Sequence, residues 1–151
     1  MPNCNIHESY MNIAKEIAKR SYAKRLKVGA LIVKDNRIIS DGYNGMPYNF
    51  TNICETNGKT NIEVLHAETN AITKIAKTTL SSEDSTLYVT ESPCIECAKL
   101  IIQSGIKTVY FESRYRIIDG LDLLKKASIT VFEKDKKSNL FCEYGPKLNL
   151  N

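Results

Sequence analysis

Apolar positions near the start of the chain recur with a helical period. Ile6, Tyr10, Ile13, Ala14, Ile17 and Ala18 fall on one stripe of an amphipathic helix. The period then changes. Val28-Gly29-Ala30-Leu31-Ile32-Val33 is a short unbroken apolar run, which reads as a strand. Asp35-Asn36 supplies a hairpin turn, and residues 37–41 form the returning strand. Residues 49–61 are rich in Asn and Thr and show no period, so they read as a long irregular loop. Loops of that size in compact domains are often functional. Helical spacing resumes at Ala67, Ala71, Ile72, Ile75 and Ala76, so a helix begins at His66. Residues 86–90 form a buried strand. The helix after it runs through Ala98, Leu100, Ile101 and Ile102 and stops at Gly105. Residues 108–111 are a strand, 121–127 a helix and 129–132 a last strand.

Strands that alternate with helices after residue 66 imply parallel pairing through right-handed crossovers. The first two strands form an antiparallel hairpin. The expected fold is α/β, a three-layer α/β/α arrangement with a mixed five-stranded sheet. It forms a single domain over residues 1–151, with the tail from about 134 to 151 unassigned. Two of the helices begin at strand ends, where such sheets place ligands.

Composition narrows the class. A chain of 151 residues is long enough for a sizeable core, and no apolar run approaches membrane-spanning length. The net charge of +4 is modest, but Lys15, Lys19, Arg20, Lys24, Arg25 and Lys27 cluster near the start. Such a cluster suits a phosphate-bearing ligand or an RNA, or it is a solvated helix face. An odd count of five cysteines and no visible signal peptide point to a reducing, cytoplasmic setting rather than to disulfides.

The candidate chemistry is concentrated in two places. His66 and Glu68 open one helix; Pro93, Cys94 and Cys97 open another. A structural zinc site closes with four protein ligands, whereas a catalytic one uses three and keeps a position for water. His66, Cys94 and Cys97 make three. Pro93 suits the first turn of its helix, where a missing N–H costs nothing. Cys94 and Cys97, three apart, share a face, and a helix N-terminus favours the thiolate that binds metal. His66 and Glu68, two apart, do not share a face, so they converge only off the start of a helix. Two helix N-termini aimed at one metal is the implied design, with Glu68 as an acid/base carboxylate beside it. The spacing is the signature of zinc-dependent nucleobase deaminases. A zinc ribbon would need a second Cys pair, and a redox pair would leave His66 and Glu68 as coincidence. Cys4, Cys54 and Cys142 read as small buried hydrophobes. A second zinc on Cys4, His7 and Cys54 is the alternative.

Three blocks carry a family resemblance. They are Val28-Gly29-Ala30 with Gly42-Tyr43-Asn44-Gly45-Met46-Pro47; His66-Ala67-Glu68-Thr69-Asn70-Ala71-Ile72; and residues 90–102 with Gly105-Ile106 after them. Over roughly residues 6–133 the chain resembles the deoxycytidylate (dCMP) deaminases, phage-type members included, of the cytidine deaminase-like zinc superfamily. The resemblance implies hydrolysis of dCMP to dUMP and ammonia in pyrimidine deoxynucleotide metabolism. A water activated by zinc attacks C4 of cytosine while Glu68 moves the protons. It implies one catalytic zinc per chain and a substrate set of Ser21, Lys24, Asn44, Ala67, Ser92 and Tyr115. Ser21 and Lys24, with Arg25 and Lys27, are the phosphate candidates. Tyr115 would stack on the nucleotide or pack at a sheet edge.

The same resemblance implies a homo-oligomer, commonly a hexamer, activated by dCTP and inhibited by dTTP, with Mg2+ accompanying the triphosphate. The effector site would include Gly42, Tyr43, Asn44 and Gly45, whose two glycines allow close approach and positive φ. An ordinary turn is the competing reading of that block. No membrane or nucleic-acid partner is expected, and a phage-encoded chain would work in its host's cytoplasm. The chain departs from some phage members in lacking the extra His residues of a second, structural zinc. Two other functions share the zinc blocks: a deaminase acting on tRNA, which the Gly42–Gly45 block disfavours, and a zinc-stabilised scaffold, in which Glu68 would have no purpose. A riboflavin-pathway deaminase would need a second domain for which the chain has no room.

Overall fold

In a computed structural model of the chain, which describes residues 5–145, Asn5 opens the first helix. Its side chain accepts a hydrogen bond from the His7 N–H at 3.1 Å, satisfying one of the donors that a helix start leaves unpaired. Helix α1 spans Ile6–Ala18, followed by β1 (Gly29–Lys34) and β2 (Arg37–Tyr43). Asp35 and Asn36 both have positive φ (51° and 60°), the conformation a tight two-residue hairpin demands and that Asp and Asn tolerate.

Two short strands, β3 (Glu55–Thr56) and β4 (Lys59–Thr60), lie inside the segment expected to be irregular, joined through Asn57-Gly58. Then come α2 (Ala67–Ile75), β5 (Thr86–Glu91), α3 (Ile95–Gln103), β6 (Thr108–Ser113), α4 (Asp119–Lys126), β7 (Thr130–Lys134) and β8 (Phe141–Glu143). The main sheet has the order β2-β1-β5-β6-β7-β8. β1 runs antiparallel to both β2 and β5, while β5, β6 and β7 are mutually parallel. Among the described residues the sheet therefore has six strands, not five. The sixth, β8, comes from the unassigned tail and pairs antiparallel with β7.

The apolar run in β1 is explained by burial on both faces. Ala30 and Ile32 face α2, α3 and α4; Leu31 and Val33 face α1. That alternation is the period of a pleated strand. On the first face Ala71, Ile101, Leu121 and Leu124 pack against Leu87, Val89, Val109, Phe111 and Val131. On the other, α1 lays Tyr10, Met11 and Ala14 on Tyr88 and Tyr110. The buried stripe of α1 is rotated from the expected one: Met11 is fully buried, whereas Ile6 and Ile13 are exposed. Burying a Leu or Phe contributes about 1.5–3 kcal/mol, and truncating Leu87 to Ala would cost about 2–5 kcal/mol through the cavity it leaves. Among the described residues no helix is long and apolar enough to cross a membrane.

The parallel strands decide where chemistry sits. β5 ends at Glu91, and only Ser92-Pro93 separate it from Cys94 at the start of α3. His66, at the start of α2, lies beside it.

Candidate metal centre and cavity

His66 and Cys94 are the residues that precede the first turns of α2 and α3. The two helix starts do different things with their side chains. Cys94 caps its own helix weakly, accepting the Cys97 N–H at 3.5 Å, while the His66 ring makes no cap bond. Pro93 stands one position earlier than expected, just before the cap instead of inside the first turn. Its rigid φ still helps direct the chain into α3.

His66 Nδ1 lies 3.4 Å from Cys94 Sγ and 3.4 Å from Cys97 Sγ. All three candidate ligand atoms fall within 4.8 Å of one another, and they form the one His/Cys/Asp/Glu group of this kind among the described residues. Zinc bonds of ~2.3 Å to sulfur and ~2.0–2.1 Å to nitrogen at a tetrahedral angle give N···S separations of about 3.5 Å. The donor set and its spacing fit zinc. Thr69 Oγ1 sits 3.7 Å from Cys97 Sγ, a contact of the sort that orients a metal ligand.

The protonation pattern suits a cation too. Contact with the Cys97 thiol, and with His66, holds the Cys94 thiol far down, to about 3. The same Cys94 contact, aided by burial, pushes Cys97 up. The hydrogen bond to Cys94 raises His66 against the effect of burial. Without a cation, one of two adjacent thiols keeps its proton; a metal displaces that proton when it binds.

Glu68 follows in the first turn of α2 and is 4% exposed. Burial pushes its carboxyl up to about 7, against the helix N–H and His66, which favour the charged form. It lines a cavity of about 480 Å³ together with His66 and Cys94. Cys97 lies beneath, 1% exposed.

Of the other expected substrate residues, Asn44, Ala67, Ser92 and Tyr115 line the same cavity. Ser92 is nearly buried, and its Oγ accepts the Tyr115 N–H at 2.7 Å, so it holds the Tyr115 segment to the cavity wall. Asn44 spends its side chain on the backbone: Oδ1 accepts from Val28 N–H at 2.9 Å and Nδ2 donates to Leu26 C=O at 2.8 Å.

Ser21 and Lys24 are not on the wall. Ser21 Oγ donates to Asn44 C=O at 2.7 Å and accepts the Ala23 N–H at 3.1 Å. The main-chain N–H of Lys24 donates to the Glu55 carboxylate at 2.8 Å. The neighbouring cation Arg25 does line the cavity, and its guanidinium donates to Thr60 Oγ1 at 3.4 Å.

The Gly42–Gly45 block is largely used by the fold. Neither glycine uses the positive φ open to it. Gly42 is needed for packing, since a Cβ there would stand 2.3 Å from Ala67 O and 2.6 Å from Ala71 N of α2. Tyr43 C=O accepts from Asn70 Nδ2 at 2.8 Å, and the Arg20 guanidinium lies 5.4 Å from the Tyr43 ring centroid. Gly45 exchanges both backbone hydrogen bonds with Leu65, at 3.0 and 2.8 Å.

Arg114, Arg116 and Glu91 line the cavity as well, and sequence reasoning missed them. Arg114 makes two parallel bonds to Glu133, at 2.7 and 2.8 Å, and its guanidinium lies 5.3 Å from the Tyr144 ring centroid. The available signal was positional: Arg114-Tyr115-Arg116 directly follows a parallel strand, at the edge where such sheets bind ligands.

For the alternative second zinc, Cys4 lies outside the described residues. His7 brings its ring nitrogens to Tyr88 OH (2.8 Å) and Tyr110 OH (3.3 Å). Cys54 is buried in the cavity wall.

A mixed sheet with a His/Cys/Cys group at two helix starts and a buried glutamate beside it is the cytidine deaminase-like fold with the donor set of a zinc-dependent nucleobase deaminase. Residues 4–113 match the cytidine and deoxycytidylate deaminase zinc-binding region, and the chain belongs to that family. It is a deaminase, a hydrolase acting on a C–N bond. It is 37% identical over 137 residues to ComE operon protein 2 of Bacillus subtilis, covering 87% of this chain and 72% of that protein. It is 36% identical over 172 aligned positions to the deoxycytidylate deaminase of phage T4, covering 85% and 89%. The crystal structure of dCMP deaminase from cyanophage S-TIM5, in complex with dCMP and dUMP, superposes with a TM-score of 0.84. Identity there is 44%, and coverage is 88% of this chain and 99% of that one.

Proposed function

We propose that this chain, as a single domain, converts dCMP to dUMP and ammonia using one zinc held by His66, Cys94 and Cys97. The observation that carries this reading is the buried Glu68 carboxyl in the cavity wall, two residues from His66, beside the His/Cys/Cys group. Zinc bound by those side chains would supply Lewis-acid activation of water.

The chain's own residues do the rest. Glu68 takes the proton that the attacking water gives up and delivers it to N3 of the cytosine ring. It then takes the proton of the new C4 hydroxyl and passes it to the amine as the C–N bond breaks and the C4 carbonyl forms. Its burial favours the protonated form of the carboxyl. Ala67 and Ser92 shape the base end of the cavity, and Ser92 fixes Tyr115 as a platform for the nucleotide. Arg25 and Arg116 supply positive charge for the 5′-phosphate, while Arg114 is engaged by Glu133. The cyanophage enzyme, bound to dCMP and dUMP in its structure, supports a nucleotide substrate.

The reading extends to regulation in a hexamer, with dCTP (and Mg2+) activating and dTTP inhibiting. Its support is the family resemblance and the position of Asn44, which belongs both to the 42–45 block and to the cavity wall. An effector must bind two states differently to shift them, and a shared wall residue gives it a route to do so.

The test is steady-state deamination of dCMP, CMP, deoxycytidine, dCTP and a tRNA stem-loop by purified protein, with a zinc count. The expected order places dCMP first, with sigmoidal kinetics that dCTP makes hyperbolic and dTTP shifts to higher substrate. Turnover of the stem-loop alone would overturn the substrate assignment. Hyperbolic kinetics indifferent to both triphosphates would remove the regulatory part.

A further inference from the structure

Gly120 lies in the first turn of α4, pressed against the peptide that carries Cys94. A Cβ at this position would stand 2.1 Å from Pro93 O, 2.7 Å from Cys94 C and 2.8 Å from Cys94 O. Carbon contacts are ordinarily ~3.5–4.0 Å, and all three of these atoms are backbone, so no side-chain rotation relieves the clash.

Neither partner gives way easily. Behind Gly120, Leu121 and Leu124 are wholly buried in the core, which holds α4 in place. In front, Cys94 C=O accepts the Ala98 N–H at 2.8 Å, the bond that starts α3. Pressure on that carbonyl falls on a residue whose Sγ is 3.4 Å from His66 Nδ1. The absence of a side chain at residue 120 therefore sets how far the Cys94 backbone sits from the core. That distance sets whether its thiol reaches the same point as His66 and Cys97.

We propose that Gly120 is a positioning residue for the metal: α4 acts as a stop against which the Pro93–Cys94 peptide is seated, and the stop fixes the Cys94 thiol for metal binding. The proposal rests on the metal assignment above. It adds a determinant outside both ligand-bearing helices, in the next βα unit of the sheet.

The test compares Gly120→Ala with Gly29→Ala. Gly29 is an equally crowded glycine, 2.0 Å from Ala14 O by the same measure, but it belongs to the contact between β1 and α1 on the other face of the sheet. Zinc affinity is measured by chelator competition, and the cobalt-substituted proteins are compared by visible absorption. Groups that orient metal ligands typically change affinity by ~10–100-fold when altered. Gly120→Ala is expected to weaken zinc by that factor and to alter the cobalt spectrum. Gly29→Ala is expected to lower Tm while leaving both unchanged. Wild-type affinity and spectrum in Gly120→Ala, or an equal loss in Gly29→Ala, would overturn the proposal. Failure of the wild-type protein to take up metal would instead overturn the metal assignment.

Should Gly120→Ala not fold, Leu124→Val loosens α4 from behind, and Leu31→Val serves as the matched truncation on the α1 side. Faster zinc loss to chelator in Leu124→Val than in Leu31→Val is expected; equal rates would overturn the proposal.

Discussion

His66 Nδ1 and Cys94 Sγ meet at 3.4 Å, although 28 positions separate the two residues in the chain. Each stands at the start of its own helix, and the helices are brought together by the sheet they pack on. The meeting point is set by tertiary structure, so removing one ligand leaves the scaffold in place.

The first expectation follows directly. His66→Ala, Cys94→Ala and Cys97→Ala each lose zinc, while wild type holds one per chain, as a three-ligand set requires. Far-ultraviolet circular dichroism of the variants stays close to wild type. A second stoichiometric zinc persisting in all three would assign a metal role to the remaining cysteines.

Glu68→Gln preserves the shape of the side chain but not its proton traffic. Zinc content should match wild type, and turnover should fall by ~10²–10⁴-fold, the usual range for loss of a positioned acid/base. Retained turnover contradicts the acid/base role; lost zinc makes Glu68 a ligand.

Arg25 and Lys24 are adjacent cations with different surroundings, and the cavity separates them. Arg25→Ala should raise KM for dCMP several-fold and leave deoxycytidine unaffected, because only the nucleotide carries a phosphate. Lys24→Ala should change neither. The reverse pattern, read from KM values for both substrates, would return the phosphate site to Lys24.

A fourth expectation concerns acid stability. Glu112 bonds Lys15 at 2.5 Å and Lys134 at 3.2 Å, and Lys134 also reaches Glu8 at 2.8 Å. Burial alone would raise the Glu112 carboxyl, but the two lysines outweigh it and hold it below its ordinary 4.5. A depressed carboxyl stabilises the folded state above the unfolded value, and that contribution is lost as pH falls through the folded value. Glu112→Gln should therefore melt lower than wild type at pH 7, with the gap closing below about pH 4.5. A gap unchanged down to pH 3 would show that the ion pairs contribute nothing.

Much of this molecule is legible in the chain. The helical period of α1, the apolar run of β1 and the Asp35-Asn36 turn are local signals, and the structure keeps all three elements, with the buried stripe of α1 rotated onto Met11. The zinc-motif residues are also local patterns, although their convergence is not. What escaped had weak local signals. β8 is three residues long, and of its side chains only Phe141 is partly buried, edge-on against Tyr110. β3 and β4 are two residues each and almost wholly polar, so the Asn57-Gly58 turn had no flanking alternation to support it. Arg25 and Lys24 cannot be told apart by charge; which one faces the cavity depends on where Glu55 takes the backbone N–H groups. Gly42 reads in the sequence as room for the close approach of a ligand, and the structure uses that room to seat α2.

The placement of the ligands at helix starts has a consequence for local opening. The first N–H groups of a helix lack partners within it, so helix ends fray first. Tying His66, Cys94 and Cys97 to one ion pins two such ends to each other. Removing the ion should release them together while the sheet stays closed. In amide hydrogen exchange, chelation should speed residues 67–69 and 95–97 in concert. The amides of β5 and β6 should keep their protection, so this protein would lose its metal by unlatching at one edge and not by unfolding.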